Sequence, residues 1–80
     1  MNDLHPSIAH FRPLFRYKQL PPDLQKISKP FADLANDIME RSRAGSNPEH
    51  AAALRKLLEA KDCAVRAEGF AKWKADADGA

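Results

Sequence analysis

The chain has 80 residues, of which 44% are hydrophobic and 30% charged, and its formal net charge is +2. This composition is typical of one small globular domain, because disordered chains contain fewer apolar residues and a membrane span needs about 20 consecutive ones. The first residues also lack the basic start and the apolar stretch of a signal peptide, so we expect a cytoplasmic protein without a membrane partner.

The sequence offers little material for catalysis or metal binding. Its single cysteine, Cys63, has no partner for an internal disulfide or for a cysteine-based metal site. His5, His10 and His50 follow no recognised metal-ligand spacing. A glycine-rich phosphate loop and a nucleophile elbow are both missing. We therefore predict a protein that is not an enzyme, with no catalytic residues, no metal and no cofactor.

Residues 1–20 show no helical periodicity, and Pro6 and Pro13 interrupt any helix there. The segment is rich in aromatic and aliphatic residues, which predicts an extended N-terminal arm that lies on the rest of the protein. Residues 1–29 hold five basic and two acidic residues, whereas the remainder holds eight basic and nine acidic residues. This asymmetry indicates an anionic partner, with a solvated basic surface as the alternative explanation.

A first long helix is predicted from about residue 22 to Arg43. Pro21-Pro22-Asp23 is typical of a helix start, and Ala44-Gly45-Ser46 is typical of a stop. The apolar residues between them step by three and four, as one helix face does: Leu24, Ile27, Phe31, Leu34, Ala35, Ile38 and Met39. Pro30 lies inside this stripe and predicts a kink, or a break at which Ser28 caps the second piece.

A second long helix is predicted from Asn47, as N-cap, and Pro48, at the first helical position, to about Lys74. Residues 76–80 are expected to fray. The inner face of this helix is predicted to hold Leu54, Leu57, Leu58 and Val65. A different side of the same helix carries Cys63, Ala67, Phe70 and Trp73.

These elements predict an all-α fold, in which residues 21–75 form a two-helix antiparallel hairpin and residues 1–20 form the extended N-terminal arm. Two helices bury too little apolar surface to offset a backbone ordering cost of ~1–2 kcal/mol per residue. The second helix is also apolar on two sides, of which the first helix covers one. We therefore expect a homo-oligomer, with any binding site between subunits.

Two further patterns have both structural and functional interpretations. Lys61 lies on the inner face, where a lysine extends to solvent, pairs with Asp37 or Glu40, or points into an anion pocket. Tyr17 and Lys18 place a ring beside a cation, the combination that stacks a base and neutralises a phosphate. A tyrosine that anchors the arm to the first long helix is the alternative.

Taken in chain order, these features resemble a family of phage anti-defence proteins. The family consists of helical-hairpin sponges that sequester cyclic oligonucleotides in anti-CBASS and anti-Thoeris systems. The resemblance covers about residues 5–68. It is carried by His5-Pro6, Ile8, Tyr17-Lys18-Gln19-Leu20, Phe31, Leu34, Ala35, Ile38, Asn47-Pro48 and Arg55.

The resemblance implies a compact homo-oligomer, typically a hexamer, that binds a cyclic di- or trinucleotide or a cyclic ADP-ribose isomer between subunits and does no chemistry. If the chain is phage-encoded, its compartment is the cytoplasm of the bacterial host. In the family, a tyrosine just before the first helix and a lysine within it contact the cyclic dinucleotide. The tyrosine matches Tyr17, whereas an ungapped alignment places Ala32 at the lysine position. The predicted ligand-binding residues are Arg16, Tyr17, Lys18 and Lys29, together with Arg55 from a neighbouring chain. Lys29 lies one turn before Ala32.

Two other functions are left open by the residues themselves. One is a small DNA- or RNA-binding regulator that uses the basic arm. The modest net charge and the missing recognition-helix pattern count against it. The other is a protein-interaction module without a small ligand.

Overall fold

The computed structural model describes residues 4–78, with side chains for residues 4–71, and all the regular secondary structure in this part of the chain is helical. Helix α1 spans Pro6–Ala9, a 3-10 helix spans Arg12–Phe15, α2 spans Pro22–Ser42 and α3 spans Pro48–Asp78. The predicted all-α class is therefore confirmed. The expectation for the side chain of Trp73 and that for residues 79–80 lie outside the described part.

The N-terminal segment contains two short helices, so the prediction of an extended arm was wrong. Pro6 occupies the first position of α1, where the missing N–H has no intrahelical acceptor, so the proline starts a helix instead of interrupting one. The His5 ring caps this turn, since its Nδ1 accepts a hydrogen bond from the Ser7 backbone N–H at 3.1 Å. Pro13 similarly lies at the start of the 3-10 helix. The segment does pack on the long helices, as its apolar composition predicted.

The core joins the N-terminal segment to both long helices. Its buried members are Ile8, Phe11 and Phe15 from the N-terminal segment, Ala32, Ala35 and Met39 from α2, and Leu54 from α3. Three of these seven residues precede α2. The first 20 residues therefore supply a large part of the apolar burial, and the two long helices do not account for the core alone.

Helix α2 has the predicted bounds, but its buried line is displaced from the predicted stripe. The buried residues are Ser28, Ala32, Ala35, Met39 and Ser42. Leu34, which was expected to be inside, is 49% exposed, while Phe31 and Ile38 are half-buried. The reason is that two neighbours cover α2: α3 packs on one part of its surface, and the N-terminal segment packs on an adjacent flank. The centre of the buried surface of α2 therefore moves toward small residues. The helix also continues through Pro30 without the break that was considered.

Helix α3 starts at Pro48, as predicted. The Asn47 side-chain oxygen accepts a hydrogen bond from the Glu49 N–H at 2.9 Å, and the His50 ring accepts one from the Asn47 N–H at 3.2 Å. The helix runs to Asp78 and not only to about Lys74. Two backbone donors at its N-terminus are thus satisfied by side chains, which is how such a start is fixed.

The inner face of α3 is centred on Leu54, which is fully buried, and the other three residues predicted for that face, Leu57, Leu58 and Val65, are half-buried. Of the residues predicted for a different side of α3, Cys63, Ala67 and Phe70 are exposed, and Phe70 is 67% exposed. Residues 43–47 join α2 to α3, and these two helices pack against each other. A shallow cavity at the start of α2 is lined by residues from both helices: Pro21, Asp23, Leu24, Glu68, Gly69 and Ala71. No helix in the described part of the chain has the length and apolar character needed to cross a membrane.

Two buried serines on α2 provide a matched stability test. The Ser28 hydroxyl is fully buried and has no hydrogen-bond partner among the described residues, whereas the Ser42 hydroxyl donates to the Met39 carbonyl at 2.6 Å. An unpaired buried hydroxyl costs about 1–3 kcal/mol, and a paired one contributes about 1 kcal/mol. We expect Ser28→Ala to raise the free energy of unfolding by about 1 kcal/mol and Ser42→Ala to lower it by a similar amount. Urea denaturation would measure both, and a loss of stability in Ser28→Ala would show that its hydroxyl has a partner.

Candidate functional site

A cavity of about 380 Å³ lies between the segment that precedes α2 and the middle of that helix. It is lined by Arg12, Phe15, Arg16, Tyr17, Lys18, Gln19, Ala32 and Asn36. This lining contains three cationic side chains and no acidic one. The ring of Tyr17 is half-buried and packs against the core, so it forms a fixed wall of the cavity. The arrangement suits a flat, anionic molecule.

A short turn holds Arg16, Tyr17 and Lys18 in place between the 3-10 helix and α2. The Leu20 N–H donates to the Tyr17 carbonyl at 3.0 Å and closes the turn. Gln25, in the first turns of α2, donates to the Leu20 carbonyl at 2.7 Å and to the Lys18 carbonyl at 3.3 Å. The backbone that carries the ring and the cations is therefore tied to α2 by a half-buried amide, which limits how far these side chains move.

Lys61 supports the same segment from the opposite direction. Its side chain is only 14% exposed, and its ammonium group donates to the Leu14 carbonyl at 3.1 Å and pairs with Asp62. Of the three interpretations of Lys61, the pairing with Asp37 or Glu40 is not found among the described residues, because those acids pair with Arg41 and Arg43 respectively. Lys61 thus links α3 to the end of the 3-10 helix, directly before the cavity-lining residues.

Lys29 lies one turn before Ala32 on α2 and is not part of the cavity lining. Its ammonium group hydrogen-bonds the Asp33 carboxylate at 2.7 Å, one turn later on α2, with both side chains more than half exposed. This hydrogen bond, followed by the negative charge of Asp33, raises the pKa of Lys29, and Tyr17 adds to the effect. Lys29 therefore stays charged at neutral pH.

Arg55 does not line the cavity that contains Tyr17. It lines a second cavity of about 640 Å³ at the start of α3, together with His5, Ser7, Ser46, Asn47, Pro48, Glu49, Ala51 and Ala52. Within one chain, the structure thus brings together Arg16, Tyr17 and Lys18 in one cavity lining, leaves Lys29 outside it, and places Arg55 in the lining of another cavity.

Four polar residues of this site were not predicted from the sequence. Arg12, Gln19 and Asn36 line the cavity, and Gln25 holds its turn. The basic excess in residues 1–29 pointed to the segment that contains Arg12. Asn36 follows Ala32 by one helical turn, so the same face of α2 carries both. The two glutamines gave no signal, because their roles depend on a turn that the prediction of an extended arm did not contain.

Comparisons with known proteins identified no relative: no family model, no curated protein and no solved structure matches the chain. The resemblance to the phage sponge family therefore stays a prediction based on the residues that carry it.

Proposed function

We propose that this protein sequesters a cyclic nucleotide immune signal without chemical turnover, as a phage anti-defence protein. The observation that carries the proposal is the cavity in which Tyr17 lies among Arg12, Arg16 and Lys18 with no acidic residue in the lining. A cyclic dinucleotide presents two bases and two phosphates. An aromatic ring stacks on a base, and arginine or lysine neutralises a phosphate.

The contribution of α2 to the lining of the cavity supports the same ligand class. The residue that aligns with the ligand-contacting lysine of the sponge family is Ala32, and Ala32 lines the cavity together with Tyr17. An alanine there leaves space and removes one cation. Lys29 lies one turn earlier on α2, and in our proposal it supplies a cation to the same ligand from a neighbouring position.

The size of the cavity favours a site that a second subunit completes. Ligand pockets usually measure about 300–1,000 Å³, and about 380 Å³ is at the lower end of this range. This volume suits one base and its phosphate better than a whole cyclic dinucleotide. In our proposal α2 and α3 form an antiparallel hairpin, the chain assembles as a homo-oligomer, typically a hexamer, and a neighbouring chain supplies further contacts, including Arg55.

A thermal-shift screen tests the proposed ligand class. Cyclic dinucleotides, cyclic trinucleotides, cyclic ADP-ribose isomers and duplex DNA would each be added to the purified protein. A ligand at 100 times its dissociation constant stabilises a protein by about 2.7 kcal/mol, which gives a shift of several degrees in a domain of this size. We expect a shift with at least one cyclic nucleotide. A shift with duplex DNA alone would favour a nucleic-acid-binding regulator, and no shift with any of them would favour an interaction module.

The Lys29–Asp33 pair makes a specific prediction about affinity. Asp33 holds the Lys29 ammonium group at 2.7 Å and places a negative charge near a ligand that is itself anionic. Asp33→Asn should therefore strengthen binding of the cyclic nucleotide found in the screen, and Lys29→Ala should weaken it about tenfold or more. Isothermal titration calorimetry would measure both. If the parent and the two variants bind the ligand with equal affinity, Lys29 is not part of the site.

A further inference from the structure

One side of the α2–α3 pair is apolar and only partly covered by the described residues of the single chain. We call it the bare face. Its α2 members are Leu24, Ile27, Phe31, Leu34 and Ile38, and its α3 members are Ala53, Leu57, Ala60, Ala64, Ala67 and Ala71. Leu34 is 49% exposed, four of the five alanines are exposed, and the remaining members are half-buried. At about 100° per residue, the α2 members lie roughly 80° from the buried line of that helix, on the flank opposite Ala32 and Asn36. The N-terminal segment lies on that other flank, beside Ala32 and Asn36, and leaves this one partly exposed.

The two rows of the bare face have the same spacing but different sizes. Both step alternately by three and four residues, the heptad spacing of helices that pack along their length. The row on α2 consists of leucine, isoleucine and phenylalanine. The row on α3 consists of alanine except for Leu57. One row is thus a ridge of large side chains, and the other is a shallow groove that admits a close neighbour.

The members of the two rows also lie level with each other along the helix axes. We call the position of a residue along these axes its height. Residues 43–47 join the two helices, and both Leu24 and Glu68 line the cavity at the start of α2. In the antiparallel arrangement proposed above, residues equally far along the chain from this connection lie at the same height. This rule pairs Leu24 with Ala67, Ile27 with Ala64, Phe31 with Ala60, Leu34 with Leu57 and Ile38 with Ala53. Four of the five ridge residues therefore lie level with an alanine.

We propose that the bare face is the contact between two copies of this chain, related by a two-fold axis parallel to the helices. Such a rotation preserves height and places α2 of each copy over α3 of the other, forming an antiparallel four-helix bundle. Phe31 then faces Ala60 of the second copy, and Ile27 faces its Ala64. A two-fold axis perpendicular to the helices would instead place ridge on ridge and alanine on alanine, which leaves gaps.

Charge and area agree with a second copy as the occupant. The bare face contains no charged residue, and charged side chains flank its edges. The same rotation brings Arg41 to within about one helical turn of the height of Glu49 of the second copy. It also brings Asp37 to within about one turn of the height of Lys56 of the second copy. The 21 residues of α2 extend about 30 Å, and two helices side by side are about 20 Å wide, so the contact covers roughly 600 Å² per copy. This area is close to the roughly 800 Å² per partner of specific interfaces.

Single charges on the bare face test the contact. Leu34→Glu and Ala60→Glu change exposed side chains, so the core of each chain is preserved. Phe70→Glu is the matched control, because Phe70 is a larger exposed apolar side chain on a different side of α3. Light scattering at micromolar concentration should give the parent and the control a mass of at least twice 8.9 kDa. It should give the two bare-face variants half of the parental mass or less, with helical circular dichroism retained.

Exchanging large and small residues tests the register. Ala64→Ile alone should lower the assembled mass, and Ile27→Ala in the same chain should restore it, whereas Ile38→Ala, at a different height, should not. A monomeric parent would overturn the inference, as would an assembly that Phe70→Glu disrupts and Leu34→Glu does not. Failure of the proposed ligand binding is a separate result, because titration of the assembled parent with cyclic nucleotides reports it while the mass stays unchanged.

Discussion

Leu54→Ala should lower the free energy of unfolding by about 2–5 kcal/mol. Leu54 is fully buried and is the α3 member of the core that also contains Ile8 and Phe15 from the N-terminal segment. Shortening it removes apolar contacts and leaves a cavity that its neighbours fill only partly. Urea denaturation followed by circular dichroism would measure the change. The loss is a large fraction of the stability of a domain of 80 residues.

Leu14→Ala is the matched control for this substitution. It makes the same chemical change in the N-terminal segment, but Leu14 is 46% exposed, so its replacement should change stability by no more than about 0.5 kcal/mol. Equal losses in the two variants would mean that Leu54 is not at the centre of the core. Leu57, which the sequence also placed there, is only half-buried and should fall between them.

Tyr17→Ala should weaken binding of the cyclic nucleotide about ten- to a hundredfold. Stacking of a base on an aromatic ring contributes about 1–3 kcal/mol, and the ring of Tyr17 forms a wall of the cavity. Tyr17→Phe keeps the ring and should bind nearly as the parent does. Since Tyr17 also packs against the core, the melting temperature of each variant should be measured in parallel with calorimetry.

The cations of the cavity should behave in the same way. Arg16→Ala and Lys18→Ala each remove a charge from the lining, and each should cost about ten- to a hundredfold in affinity. Lys26→Ala removes an exposed charge of α2 that does not line the cavity and should have little effect. If Lys26→Ala weakens binding as much as Arg16→Ala does, the attraction is a general effect of positive charge and not a built site.

The all-α class and the starts of the long helices were predictable because their signals are local. Pro22 at a first helical turn and the Asn47 cap determine where α2 and α3 begin, whatever else the chain does. The cluster of Arg16, Tyr17 and Lys18 was predictable for the same reason, since the three residues are consecutive in sequence.

The N-terminal segment was not predictable in the same way. Pro6 and Pro13 are equally compatible with an extended chain and with the starts of short helices, and the decision depends on burial of Ile8, Phe11 and Phe15 against the long helices. Once this segment covers one flank of α2, Leu34 is displaced outward and Ser28 inward. The displacement arises from tertiary packing, which helical periodicity alone does not contain.

Recovery of the ligand after binding tests the central claim most directly. The protein would be mixed in excess with the cyclic nucleotide found in the screen, the free ligand separated by ultrafiltration, and the retained fraction heated and analysed by chromatography. We expect the filtrate to be depleted of ligand and the heated fraction to release it intact and in full. A filtrate that keeps the ligand, or a released fraction that contains a cleaved product, would contradict sequestration without turnover.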